Sequence, residues 1–530
     1  MTIERRTLIT AVGGLALFAG LAGSRTWAQT LASKTLGAYP FKLGVASGDP
    51  APDGFVIWTR LATRPLEHGG GMPMRAVPVG WEVAEDEGFT RIVASGGELA
   101  RPELGHSVHV EVGGLKPAAR YWYRFSAAGE MSGVGTVRSA PAAGARTDRL
   151  RLGVAGCQHY EAGLFTAYRH LSQEPDLDAI FHYGDYIYEG AAGKTCPVTG
   201  VGPDRRKTCF REHAGDEIYT LDDYRRRYAQ YKTDPDLQAA HASAAFLSSF
   251  DDHEVDNNWA GDDDQDATPR ELFRLRRFAA MQAWYENMPV RRAQFPTAGL
   301  LRMHRRIDYG DLLRVHVLDT RQYRSGQICG AEAGDRCLPI TDPSHPSIIG
   351  AAQQTWLEEG LGNRMRWNLL AQQVMVMPLL YPTSRAAGRT NLDSWSGYPT
   401  SRERLVRAIQ DRKLTNVVIA TGDVHQHHAG VLPARGDAWD GPAVATEFVS
   451  SSISSGGDGV VLADSWKDVP AENPHCRLFD ARRGYQVFDI DRDGWRTDVR
   501  VVDRVTTPGG ALSTVARFSV EQRRPGLQVL

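Results

Sequence analysis

The chain has 530 residues, 42% of them hydrophobic and 23% charged, with a formal charge of −2. At about 150 residues per domain this is an ordinary globular composition with room for several domains and a large core. Without long single-sign runs, the charge balance gives no electrostatic reason to expect nucleic acid or an anionic membrane as a partner, and it leaves a small or dispersed anionic substrate open.

The N-terminus reads ERRTLITAVGGLALFAGLAG and then SRTWAQ. Arg5 and Arg6 precede an apolar stretch from Ala11 to Gly23, and a small-x-small site ends at Ala28. Residues 1–28 are therefore expected to be an export signal of the twin-arginine type, with Leu8 where Phe is commoner. The stretch is short for a membrane anchor. Residues 38–140 hold short alternating runs, GFVIWTRL, VPVGWEVA, HSVHVEVGGL and RYWYRFSA, broken by Gly, Pro and Asp. That is the pattern of a β-sandwich, and Leu115, Pro117, Tyr121 and Tyr123 suggest the tyrosine corner of a fibronectin-like sandwich. The Ala/Pro/Gly-rich residues 141–149 read as a linker.

From residue 150 to about 520, apolar strands alternate with helical stretches: LRLGVAG, a helix around Phe165 to Leu171, DAIFHYGD, a long helix around Arg270 to Met288, LLRVHVLD, WNLLAQQVMV and NVVIATGD. This is α/β order. For the long helix, Thr268 is expected as N-cap and Pro269 as the first helical residue, with Pro289 stopping it. Six cysteines in an exported chain invite disulfides. Cys196 and Cys209, and Cys329 and Cys337, could each close a small loop. Cys476 has no evident partner, and Cys157 is either an inert buried thiol or a ligand.

Ligands of α/β sheets gather at the carboxyl ends of strands. Four strand ends carry unusual polar residues: GC at Cys157, GDYIY at Asp185, SFDDHEVDNNW around Asp251 to Trp259, and TGDVHQHH around Asp423 to His428. Any one could be a capped turn. All four in chain order are hard to explain that way, and together they supply thiolate, carboxylate, phenol, amide and imidazole. A redox-capable or trivalent ion would use Cys157 and Tyr188, whereas Asp252 and Asp423 suit a harder divalent ion such as Ca2+. Asp185 could bridge the two. Two metals about 4 Å apart can activate a water and hold the attacking and leaving oxygens of a phosphoester in line, although the residues alone do not separate this from other two-metal hydrolysis.

GVASGDPAPDGFVIWTRL, GCQHYEAGLFTAYR, DLDAIFHYGDYIYE, FDDHEVDNNW, LDTRQYRSGQ, DSWSGYPTSRERL and TGDVHQHH resemble, in this order, the motifs of PhoD-type alkaline phosphatases, within the calcineurin-like metallophosphoesterases and related to purple acid phosphatases. The resemblance runs from about Phe41 to beyond Ser455. It implies an N-terminal fibronectin-like β-sandwich followed by a two-sheet α/β metallophosphoesterase domain, and a phosphoesterase using Fe3+ and Ca2+. It implies Cys157, Asp185, Tyr188 and His425 as iron ligands, Asp185, Asp252 and Asp423 as ligands of the neighbouring calcium, and Asn257 as a ligand of a further calcium. Related phosphatases place a histidine on the second metal where this chain offers Gln372 or Gln373.

On this reading a metal-activated hydroxide attacks phosphorus directly, with Asp185 at the centre and His253 protonating the leaving group or contacting the transition state. His253 could equally bond a loop carbonyl. Arg321 or Arg324 could pair bidentately with phosphate, or each could hold a structural ion pair. Trp395 and Tyr398 could wall the pocket, and His427 and His428 are expected as pocket lining or surface. The substrate is expected to be a small-molecule, phospholipid or polymer phosphoester, monoester or diester, with a phospholipase D-like diesterase as the alternative. A non-catalytic exported protein whose ions only brace loops, or an iron oxidoreductase, are the competing classes. The export machinery is the expected partner of the leader, the product is expected in the periplasm or outside the cell, and no stable membrane span is expected.

Overall fold

The computed structural model describes residues 36–530 apart from 195, 197, 200–205, 208, 327–346, 383–389 and 436–437. The expected leader and the Cys329–Cys337 pair lie outside the described residues. The Val/Ile/Leu-rich runs become strands buried on both faces, as continuous apolar runs do in parallel sheets. Arg149–Ala155, Ala179–His182 and Ala245–Ser248 run parallel, with Ala155 beside His182 and His182 beside Ser248. Leu313–Val317, Trp367–Ala371, Val417–Thr421 and Ala438–Val449 form a second parallel set. The two sets are the centres of a 10-stranded and a 7-stranded sheet. Leu152, Ile180 and Val487 of the first and Val315, Leu369 and Val418 of the second share one apolar core, which is the two-sheet architecture expected from the motifs. The helices Gly350–Gly360 and Pro399–Asp411 cover the outer face of the second sheet through Leu357, Leu405 and Ile409.

The N-terminal strands take a position that periodicity does not reveal. Val45–Ala51 lies parallel to Ala245–Ser248, with Gly48 opposite Phe246, so Val45–Ala51, Gly54–Arg60 and Ser107–Val112 extend the 10-stranded sheet. The facing layer is a separate 5-stranded sheet containing Val77–Ala84, Ile92–Ala100 and Arg120–Ala127. Its Val79, Val83, Tyr123 and Phe125 join the same core as Phe55, Ile57 and Val110. The sandwich thus borrows one of its sheets from the α/β region. Tyr121 makes the tyrosine corner, its hydroxyl accepting from Lys116 N–H (2.9 Å) and donating to Lys116 C=O (3.3 Å).

The long helix spans Arg270–Asn287, one residue later at its start than expected. Pro269, with ψ at 130°, is the cap itself, and no side chain caps the helix. Thr268 instead donates its backbone N–H to Asp264 (2.9 Å). The C-terminal meander, Gly484–Asp491, Gly494–Val502, Leu512–Glu521 and Arg524–Val529, completes the first sheet. Alternation on either side of Asp493 and Gly494 is the hairpin signal that marks its first turn. Among the described residues no helix is long and apolar enough to cross a membrane.

Tyr183, immediately after Ala179–His182, fixes where the two sheets meet. A Cβ on Gly156, after the first strand of the first sheet, would come within 2.4 Å of the Tyr183 ring, and one on Gly422, after a strand of the second sheet, within 2.0 Å. The Tyr183 hydroxyl donates to Ser451 C=O at 3.0 Å. Because the ring is fully buried, neither clash can relax outward. Gly422→Ala is therefore expected to lower stability by about 1–3 kcal/mol, read from urea denaturation of the purified protein.

Candidate metal centre

Three of the four strand ends that carry candidate ligands turn through an unusual backbone. Cys157 (φ 52°), Asp185 (φ 54°), Asp423 (φ 69°) and His425 (φ 56°) all lie in the left-handed region. Such residues cost of order 1–3 kcal/mol each and persist where surrounding bonds over-determine them. Here Cys157 N–H donates to Gly184 C=O and Gln158 N–H to Asp185 C=O, both at 3.0 Å. Ser455 Oγ donates to Cys157 C=O at 2.7 Å. Glu254 Oε1 and Oε2 accept from the backbone N–H groups of Asp185 (3.1 Å), Tyr186 (2.7 Å) and Asp251 (2.8 Å), tying two ligand loops to one buried carboxylate. Sequence reading missed this role of Glu254. Its only signal is a glutamate two residues past Asp252, within DDHE.

These turns bring the four strand ends together. Cys157, Asp185 and His425 place ligand atoms within 4.8 Å of one another, as do Asp185, Asp252 and His253, and Asp251, Asp252 and Asp423. Cys157 Sγ lies 3.3 Å from Asp185 Oδ2. The Tyr188 hydroxyl donates to the same oxygen at 2.8 Å and lies 3.3 Å from His425 Nε2 and 2.7 Å from Ser455 Oγ. Asp185 Oδ1 is buried and receives no hydrogen bond among the described residues. Asp185 thus belongs to both a thiol–imidazole–phenol group and an oxygen-rich group.

The electrostatics follow from burial. It pushes the Cys157 thiol, the Asp185 and Asp423 carboxyls and the Tyr188 phenol well above their ordinary values, with neighbouring carboxylates adding to the rise. Burial also pushes His425 down to about 3. Burial would raise Asp252 too, but Arg321 and His253 outweigh it and hold that carboxyl below its usual range. His253 goes the other way. Burial disfavours its cation, yet Glu189, Asp252 and Asp185 together hold it well above the ordinary imidazole value. Anionic donors whose ionisation burial and neighbouring carboxylates oppose, around an oxygen with no donor among the described residues, are the chemistry of a cation site, and the residues present fit a metal ion in each group.

Several expected contacts are corrected by their placement. The Arg321 and Arg324 side chains are both 0% exposed. Arg321 donates to Asp251 Oδ1 (2.5 Å) and Asp393 Oδ1 (3.0 Å), and Arg324 to Asp393 Oδ1 (2.6 Å), so both form structural ion pairs instead of reaching a substrate. Asp393 sits in the DSW stretch and was not singled out by pattern. The amides of Gln372 and Gln373 are engaged at both ends: Gln372 bonds Val374 C=O, Thr421 Oγ1 and Trp395 Nε1, and Gln373 bonds Thr320, Ser249 and Leu318. Neither is free to take the place of a metal-binding histidine.

Trp395 and Tyr398 are buried in the core beneath the second sheet. His427 and His428 are buried on the strand His427–Arg435, where His427 Nδ1 accepts from Ser451 N–H at 3.1 Å. Asn257 turns its carboxamide outward to Gln265 Oε1 (2.7 Å). His253 bonds a carboxylate, Glu189 Oε2 at 2.7 Å, and not a loop carbonyl. Cys196 and Cys209 are joined in a disulfide, and Cys157 and Cys476 are free and buried.

With this geometry in place, likeness to known proteins is informative. The PhoD-like phosphatase family matches residues 152–499, and the N-terminal domain of PhoD-like phosphatases matches residues 26–141. Alkaline phosphatase D of Bacillus subtilis (strain 168) is 42% identical over 537 residues, covering 99% of this chain and 89% of that protein. The solved structure of PhoD superposes with a TM-score of 0.87 at 42% identity, covering 93% of this chain and 92% of its own. Purple acid phosphatase from yellow lupin (Lupinus luteus) seeds shares the fold, with a TM-score of 0.53, 14% identity, and coverage of 90% and 73%. Matched over both its parts and nearly its whole length, the chain belongs to the PhoD-like phosphatase family.

Proposed function

We propose that the chain is an exported phosphoesterase that hydrolyses phosphomonoesters, phosphodiesters or both at a paired metal centre. The observation that carries this reading is Asp185, buried, shared between two candidate ligand groups, and left with one oxygen that no donor among the described residues satisfies. Cys157, Asp185, Tyr188 and His425 would hold the iron, as Fe3+, because thiolate and phenolate suit a trivalent or redox-capable ion. Asp185, Asp252 and Asp423 would hold Ca2+, with oxygen donors only. Bound there, the ion pair supplies an activated water and neutralises phosphate oxygens. The leader with Arg5 and Arg6 ahead of its apolar stretch supports export.

The protein's own groups do the rest. Glu189 holds Nδ1 of His253, which leaves Nε2 to carry the proton that a departing alkoxide needs. The His253 ring lies 4.1 Å from that of Tyr188, tilted by 34°, so the proton donor and an iron ligand are positioned together. Arg321 screens Asp251, Asp252 and Asp423 from one another on the buried side, keeping the oxygen-rich group in place. Ser455 links the Tyr188 hydroxyl to the Cys157 backbone and so orients two ligands at once. The oxygen-rich second group disfavours an iron oxidoreductase.

The test is elemental analysis of the purified protein together with hydrolysis of a chromogenic phosphomonoester and phosphodiester, with added Ca2+ and with chelator. Iron near one per chain and calcium-dependent turnover are expected; zinc alone, or no turnover of either ester, would overturn the proposal. Asp185→Asn is expected to abolish turnover and to lose at least one metal while the far-ultraviolet circular dichroism stays that of the parent. Glu254→Gln weakens the frame without removing a ligand, and is expected to lower metal affinity about 10–100-fold, read by competition with a chelating dye.

A further inference from the structure

A second charged cavity lies on the outer side of the second sheet. It has a volume of about 490 Å³ and opens between the helix Pro399–Asp411 and the strand His427–Arg435. Among the described residues its wall carries Arg402 and Arg407 with one carboxylate, Glu403, and its apolar side is formed by Val406 and Leu432. None of the candidate metal ligands lines it.

Arg402 sets this cavity apart. It is 9% exposed, yet among the described residues its guanidinium makes no hydrogen bond or ion pair. Other buried arginines of the chain do make hydrogen bonds: Arg60 to Gly105 C=O and Asn287, Arg321 to Asp251 and Asp393, and Arg483 to Ser452 and carbonyl groups. The Arg402 guanidinium meets solvent only through this cavity, and burial of the rest of the side chain pushes it below its ordinary value, with Glu403 too weak a neighbour to restore it. Five fixed donors in a planar fork, with the Arg407 guanidinium on the same wall, match a carboxylate or phosphate head. The adjoining Val406 and Leu432, both buried among the apolar residues beneath the sheet, offer a surface for a short hydrocarbon body.

We propose that this cavity is a binding site for an amphiphilic oxyanion, its head held by Arg402 and Arg407 and its apolar body lying against Val406 and Leu432. The site is independent of the metal centre, so binding there does not depend on the hydrolytic reading.

Calorimetric titration of the full protein with hexylphosphonate, which cannot be hydrolysed at a P–O–C bond, and with hexanoate tests it. Both are expected to bind in parent protein and in Asp423→Asn, which disables only the oxygen-rich group. Binding in Asp423→Asn is expected to weaken at least tenfold when Arg402→Gln is added. Arg407→Gln, at an exposed position, serves the same purpose if Arg402→Gln fails to fold. Inorganic phosphate binding as tightly as hexylphosphonate would remove the apolar part of the proposal, and hexylammonium binding as tightly would remove the anionic part. Equal affinities with and without the arginine substitutions, or no binding of either probe in Asp423→Asn, would overturn it.

Discussion

The structure depends on a crowd of buried acids held at one point. Asp251, Asp252 and Asp423 place oxygens within 4.8 Å of one another, and Asp185 and Cys157 stand beside them. At that separation two unit charges repel by about 3–4 kcal/mol at an effective dielectric constant of 20. Several such pairs exceed what the buried cations Arg321 and His253 can offset, and burial answers by driving Cys157, Asp185 and Asp423 toward their neutral forms. A cation among them would reverse that balance. The arrangement therefore resists collapse without positive charge and becomes favourable with it, which is how a binding site differs from a salt-bridged core.

Holding such a crowd in place requires a frame that cannot yield. The frame is made of strand ends from two sheets that meet around Tyr183, with glycines at 156 and 422 because no side chain fits beside its ring. Glu254 then binds backbone N–H groups from two ligand loops, and Ser455 binds a third. Left-handed turns at Cys157, Asp185, Asp423 and His425 aim four candidate ligands inward at a local conformational cost that this packing sustains. Arg321 and Arg324 belong to the same frame. Their charge is used on Asp251 and Asp393 behind the candidate ligands, and both side chains are buried in those ion pairs.

The contrast between those arginines and Arg402 shows how context sets the meaning of a charge. All three are buried guanidinium groups, but Arg321 and Arg324 are compensated by carboxylates and Arg402 faces open space. Composition reports each as one positive charge. Only the position of the surrounding acids makes two of them structural and leaves one poised for an external anion.

The sequence by itself determined the parallel strands and their polar ends, because runs such as DAIFHYGD and NVVIATGD carry both the β-branched or apolar strand and the Gly-Asp turn in a few consecutive residues. It also determined which donor types stand at those ends, and the order of long motifs determined the family. What it left open are the properties that depend on residues far apart in the chain. The sharing of the first sheet by the N-terminal strands needs Gly48 beside Phe246, the engagement of Gln372 and Gln373 needs partners from Ser249 to Thr421, and the burial of Trp395 and Tyr398 needs the second sheet above them. Local pattern records a side chain's chemistry and its neighbours within a turn or two. Whether that side chain is free to act is decided by long-range packing and by the charges brought to face it.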